Sequence, residues 1–271
     1  MISSSTISFG SKLADDEYAS FHLLRKQASS MDDCQTKEFE DIIHSQASIW
    51  KGKAIRVLSV GSGTGDFDSK IISSIFANRL AIEKYVCVEP IQENIKPLKT
   101  NLRKVLAEDQ FEVIESLFED NEFPVSFDFI HNVHVIHWMK NPVNALKKMD
   151  QLLVQNGLVV SVLQSEKGLP RLYGRFKQSS EGILTAERLI QMAKVESLSY
   201  HINYVTTHLD VTSIVNKEEL GRKILQFVIS RKLDESQYEE SIPYIKDLAK
   251  KDNGKYLIEE PFAFIINHHS T

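Results

Sequence analysis

The run Val60-Gly61-Ser62-Gly63-Thr64-Gly65-Asp66 carries the densest chemical signal in the chain. Closely spaced glycines let a backbone turn sharply and let a ligand lie directly against it. Dinucleotide loops space their glycines G-x-G-x-x-G; here the third glycine comes one residue early. No Lys-Ser or Lys-Thr pair follows, which excludes a P-loop. The second signal is Glu89, at the end of the next apolar stretch, KYVCVEP. A carboxylate there can accept hydrogen bonds from both hydroxyls of a ribose. NAD enzymes share that logic, so Glu89 alone does not choose between ligand classes. The third is Asn132-Val133-His134-Val135-Ile136-His137-Trp138. Such side chains suit a flat or cationic guest, and His134 and His137 are candidate proton acceptors. The two histidines lie three apart without an evident third ligand, so no metal is expected. An ordinary tight turn and a surface acid would account for each piece singly; their order along the chain favours a ligand site.

The elements that must position these residues alternate between strand and helix. Ile55–Val60, Lys84–Val88, Phe111–Glu115, Phe127–Val133 and Gly157–Leu163 are β-branched or apolar runs that read as strands. Between them Asp66–Leu80, Gln92–Leu106 and Pro142–Leu153 read as helices, with Pro142 at a first helical position. Residues 15–50 are helical by the spacing of Tyr18, Phe21 and Leu24, then of Phe39, Ile42 and Ile43. Further on, Thr185–Lys194 is a helix, Tyr200–Val211 a strand, Glu218–Arg231 and Gln237–Lys250 amphipathic helices, and Phe262–Ile266 a last strand. That alternation predicts an α/β fold with a mostly parallel sheet and helices on both faces. The glycine loop then lies at the carboxyl end of the first strand, where open α/β sheets bind ligands.

At 271 residues the chain suffices for one α/β domain with an accessory region, here 13–271 as a single domain after a disordered start over 1–12. Hydrophobic residues at 42% and charged residues at 25% are ordinary for a globular protein. A net charge of −5 argues against nucleic acid as the main partner. No apolar run approaches the roughly 20 residues that span a bilayer, and the opening residues lack the charged and apolar regions of a signal peptide, so none is expected. Cys34 and Cys87 do not suggest a disulfide framework, which points to a reducing, cytoplasmic setting. Oligomeric state is not legible.

With these residues in place the chain resembles the histamine N-methyltransferase family of class I S-adenosylmethionine (SAM)-dependent enzymes. The G-x-G-x-G spacing is similar to the first methyltransferase motif. The likeness extends to Tyr18–Phe39, VEPIQENI, FDFIHNVHVIHWMKN, Tyr173-Gly174-Arg175-Phe176 and FAFII. It implies a Rossmann-like, seven-stranded sheet with its last strand antiparallel, and a small substrate-binding subdomain formed by 13–50 and 212–260. It implies SAM contacts at Gly61, Ser62, Gly63, Gly65, Glu89, Pro90, Asn94, Ser116 and Val133. On the acceptor side it points to Tyr18, Phe21, Met31, Asp32, Trp138 and Glu260, with His134 and His137 beside the reacting atoms. There the family pattern is rewritten. Met31 stands where the family has a glutamate, and His134, His137 and Trp138 where it has a glutamine and two tyrosines. The implied activity is N-methylation of a small amine or imidazole, histamine itself being left open. Methylation of a hydroxyl or carboxylate-bearing molecule, a non-catalytic SAM-fold binding protein and an NAD-linked enzyme are the alternatives.

Overall fold

The computed structural model describes residues 11, 13–168, 184–196, 198 and 200–268. The expected disordered start over 1–12, apart from residue 11, and the Tyr173-Gly174-Arg175-Phe176 segment lie outside the described residues. The chain divides into two compact units. One comprises Gln35–Leu163, Ala186–Tyr204 and Ala263–Thr271; the other comprises Met1–Cys34, Gln164–Thr185 and Val205–Phe262.

The first unit carries β1 (Ala54–Val60), β2 (Ala81–Val88), β3 (Phe111–Ile114), β4 (Phe127–Val133) and β5 (Leu153–Gln164). β1 pairs in parallel with β2 and β4, β2 with β3, and β4 with β5. Parallel strands are covered on both faces, and β4 is buried over its first six residues, taking the polar Asp128, His131 and Asn132 into the interior with Phe127, Phe129 and Ile130. Helices α3 (Asp66–Ala77), α4 (Gln92–Leu102), α5 (Pro142–Gln151) and α6 (Ala186–Val195) alternate with the strands. α5 starts as its sequence demands: the Asn141 side chain accepts from the Asn144 amide, and Pro142 follows the cap. α2 (Met31–Trp50) brings Phe39, Ile43 and Trp50 into the core. The Phe39 ring meets Phe264 edge-on at 5.3 Å and Phe129 at 6.5 Å.

The second unit holds α1 (Asp15–Gln27), α7 (Thr212–Val215), α8 (Glu219–Ile229), α9 (Glu235–Leu248) and β7 (Lys250–Asp252). Its core gathers Leu209, Ile224, Leu225, Val228, Ile245 and Ile258. α9 opens on a reciprocal cap, Asp234 accepting from the Gln237 amide at 2.8 Å and Gln237 from the Asp234 amide at 3.0 Å. Among the described residues no helix is long and apolar enough to cross a membrane.

β6 (His201–Asp210) and β8 (Lys255–His268) each run from one unit into the other, and the strand order is β3-β2-β1-β4-β5-β8-β6. The seven strands on that path are the number expected. An eighth, β7, pairs antiparallel with β8 off the path. Several boundaries differ from the sequence reading. The last strand starts at Lys255 rather than Phe262, and the preceding helix stops at Leu248 rather than Lys250. Between them Asn253 and Gly254, at φ 44° and 83°, form a two-residue hairpin turn; the Asp-Asn-Gly run was the available signal. Of the two helical stretches expected within 15–50, the second starts at Met31 rather than Gln35, just after Ser30 donates its amide to His208 O at 3.0 Å.

Candidate active site

The glycine loop joins β1 to α3, with Gly65 as the cap of α3. Gly61 donates its amide to Val88 O at 2.8 Å, which fastens the loop to the end of β2. Its φ is 69°, and a Cβ there would stand 2.3 Å from Cγ2 of Val135. Only glycine fits where the β4 end closes over the loop. Gly63 is different. Its φ is 55°, yet a Cβ would meet nothing within 4 Å. Its amide donates to Oε2 of Glu89 at 2.8 Å. Oε1 of Glu89 accepts from the Ile91 amide and from Nδ2 of Asn94, both at 3.0 Å. Glu89 is thus a buried carboxylate oriented by the loop on one side and the start of α4 on the other. Open space beside Gly63 and next to an oriented acid fits a nucleoside-bearing donor. Pro90 is exposed, and Ser116 is partly exposed beyond the end of β3. Gly61, Ser62, Gly63, Glu89 and Asn94 are brought together, with Val133 at the neighbouring strand end.

This geometry separates blocking from unfolding. Asparagine tolerates positive φ, so Gly63→Asn should keep the fold while filling the open space. We expect its melting temperature to stay close to wild type and its affinity for S-adenosylhomocysteine to fall by at least about 2 kcal/mol, a factor of roughly 30. Calorimetric titration decides it, and undiminished binding would show that the donor does not lie against Gly63.

Below the loop lies a buried polar cluster that the sequence reading did not single out. The Tyr85 hydroxyl donates to Oδ1 of Asp68 at 2.8 Å and lies 2.8 Å from Nε2 of His131. Ser59 bonds Asp68, and Ser62 donates to the Ser59 hydroxyl at 2.9 Å, so the cluster reaches the glycine loop. Burial raises Asp68 to about 6 against the bonds from Ser59 and Tyr85, which act to lower it. Burial also lowers His131 to about 3 and pushes the Tyr85 and Cys87 groups well above their ordinary values. The signal available was polar residues inside apolar runs: His131 in FDFIHNV and Asp68 in the first turn of α3.

At the carboxyl end of β4, His134 sits at φ 56° and places Nε2 2.6 Å from the Gln35 amide nitrogen. His137 is held down to about 4 by burial, and its Nδ1 has no partner among the described residues. Its ring lies 4.9 Å from that of Trp138, which is 78% exposed.

These values give a stability profile. His131 and His137 stay neutral in the folded protein where the unfolded chain, at about 6.5, takes up protons. What they contribute is present above that pH and lost as pH falls. Asp68 runs the other way, since its raised value favours the folded state at low pH and the contribution is lost as pH climbs from 3.8 towards 6. For these three groups the unfolded state holds about one extra proton between about pH 6 and 4.5, a contribution that lowers stability by roughly 1.4 kcal/mol per unit of acidification, and His22, also lowered by burial, acts in the same direction. Thermal melts across this window test it. His131→Asn should flatten the slope; an unaltered slope would contradict the assignment.

The remaining expected acceptor residues belong to the other unit. Tyr18 falls on α1, its side chain outside what the structure describes; Phe21 is partly exposed on the same helix. Met31 and Glu260 converge on Arg25: Nη1 meets the Met31 sulfur at 3.4 Å and Nη2 meets Oε1 of Glu260 at 2.8 Å. Ser29 donates to Oε2 of Glu260 at 3.0 Å. Asp32 pairs with Lys26 at 2.8 Å, and Glu259 pairs with Lys250. The acids that looked partnerless in sequence are therefore all paired. Arg25 was not anticipated, since a basic residue on an amphipathic helix carries no mark of burial.

The methyltransferase domain family matches residues 32–209, and the chain belongs to that family. It is a SAM-dependent methyltransferase with a Rossmann-like α/β fold. Histamine N-methyltransferase of Rattus norvegicus is 26% identical over 249 residues, covering 81% of this chain and 83% of that protein. Carnosine N-methyltransferase 2 of Gallus gallus is 22% identical over 211 residues, 70% of this chain and 64% of that protein. Among solved structures, the YcgJ protein of Bacillus subtilis has a TM-score of 0.58 at 13% identity, covering 84% of this chain and 98% of the other. At that identity the likeness is one of fold.

Proposed function

We propose that the enzyme methylates a nitrogen of a small amine or imidazole, with an imidazole-type nitrogen the better fit. SAM supplies an electrophilic methyl carbon on a sulfonium sulfur. Gly61, Ser62, Gly63, Gly65, Glu89, Pro90, Asn94, Ser116 and Val133 would hold it. The observation that carries the reading is the state of the two histidines after β4. His137, at about 4, is a weak base near neutrality. Nε2 of His134 is already engaged by Gln35. Neither is well set to strip a proton. An imidazole is mostly neutral at pH 7, its unperturbed value being about 6.5, and can react without losing a proton first. An aliphatic amine, near 10.4, and a hydroxyl would both need a base. The likeness to a rat histamine N-methyltransferase and a chicken carnosine N-methyltransferase favours the same class.

Acceptor selectivity is assigned to residues 13–50 and 212–260, with Tyr18, Phe21, Met31, Asp32 and Glu260, and to Trp138 after β4. Of the acids, Asp32 is the one able to exchange its partner at small cost, because its pair with Lys26 is part-exposed. Two free cysteines, Cys34 and Cys87, support a reducing, cytosolic setting.

A panel of imidazoles, amines, phenols and carboxylates with labelled SAM, read by product mass, tests the proposal. Activity on the preferred imidazole should rise through the substrate's own value and then level. A profile still climbing at alkaline pH would point to an amine. Methylation of a phenol or carboxylate with no nitrogen compound accepted would overturn the reading.

A further inference from the structure

We propose that Gln35 is a positioning residue for the reaction, holding the His134 imidazole as the neutral tautomer protonated on Nδ1. The proposal rests on the reading that His134 borders the acceptor. Gln35 is 2% exposed on α2, and its amide nitrogen lies 2.6 Å from Nε2 of His134. An amide –NH2 donates and has no lone pair to offer, so Nε2 must accept and the ring proton must reside on Nδ1.

The backbone beneath the ring is fixed as firmly. His134 adopts φ 56°, a conformation uncommon for any residue with a side chain. Such conformations persist where the surroundings over-determine them, and they cluster at functional sites. Here the His134 amide donates to Val162 O of β5 at 2.9 Å, and the next residue, Val135, closes over Gly61. The ring is thus held from α2 and its backbone from β5, at the strand end next to the glycine loop. A ring so held is a neutral wall in one orientation. It adds no positive charge beside a sulfonium donor or a cationic acceptor. Nothing in the sequence around Gln35 marks it for this duty; the contact joins positions 99 residues apart.

Three variants test the assignment. Gln35→Glu keeps the shape but can only accept, so it favours a proton on Nε2. Gln35→Leu removes the partner. His134→Ala identifies the ring's signals in nitrogen-15 spectra of histidine-labelled protein. We expect the wild-type ring to show a protonated Nδ1 and a bare Nε2, and Gln35→Glu to protonate Nε2. With the preferred acceptor, both Gln35 variants should lose about 10- to 100-fold in kcat, the scale expected when a group that positions a reactant is misplaced. Binding of S-adenosylhomocysteine should stay within about twofold of wild type. A merely structural role would lower the melting temperature without moving the ring proton. If Gln35→Leu does not fold, Gln35→Glu carries the test. A wild-type ring protonated on Nε2, or variants with wild-type kcat, would overturn the proposal. If the ring responds as expected but His134→Ala methylates the panel as well as wild type, the reading of the acceptor site fails instead.

Discussion

Glu89→Ala is expected to weaken binding of S-adenosylhomocysteine by roughly 1.5–3 kcal/mol or more, about 10- to 150-fold. The size follows from what the carboxylate does before any ligand arrives. It accepts from the Gly63 and Ile91 amides and from Asn94, in a position only 3% exposed. Removing it leaves donors without partners, each costing about 1–3 kcal/mol where water cannot replace the lost bond. It also releases the second glycine of the loop and removes the acid expected to grip a ribose. The donor-free protein should melt lower as well, whereas Gly63→Asn should not. Titration calorimetry on both variants separates the two effects, and wild-type affinity in Glu89→Ala would sink the donor-site assignment.

Glu260→Ala should cost about 3–5 kcal/mol of folding stability, because it strands Arg25 as an uncompensated buried charge. Side-chain exposures of 6% and 1% put this pair out of reach of solvent screening. Among the described residues Nε of Arg25 already lacks a partner, so the guanidinium has little to fall back on. Urea denaturation measures the loss, and the double variant Arg25→Met/Glu260→Leu should recover most of it, since paired apolar replacements are often neutral. A Glu260→Ala variant as stable as wild type would show the pair to be inessential. Asp32→Asn is the counterpart: its part-exposed pair is worth at most about 1 kcal/mol, so stability should hold while KM for a cationic acceptor rises.

The parallel half of the fold was legible because each of its strands announces itself. FDFIHNV, IRVLSV and KYVCVEP are apolar runs with glycine, proline or polar punctuation, and the loop glycines sit where sheet geometry needs them. The residues proposed for the donor side stood out for the same reason, as they all lie within a few positions of a strand end. The acceptor side was harder. Glu260 reads as an exposed acid before a proline, and only the fold brings Arg25, 235 residues away, against it. Gln35 and His134 likewise meet through tertiary structure alone. The short strand β7 was absorbed into the preceding helix, whose amphipathic pattern runs on into Ala249-Lys250 and masks the Asp-Asn-Gly turn.

The placement of β8 bears on how the chain is assembled during synthesis. β8 lies between β5 and β6 in the sheet but follows both in sequence. Until it is made, β5 and β6 each present a row of unpaired amides and carbonyls, the kind of edge that recruits other chains. At about 5–20 residues per second, the stretch from Gln164 to Lys255 leaves that gap open for several seconds. The charged residues that precede and open β8, from Lys250 to Lys255, then act as gatekeepers on the nascent segment that must fill it.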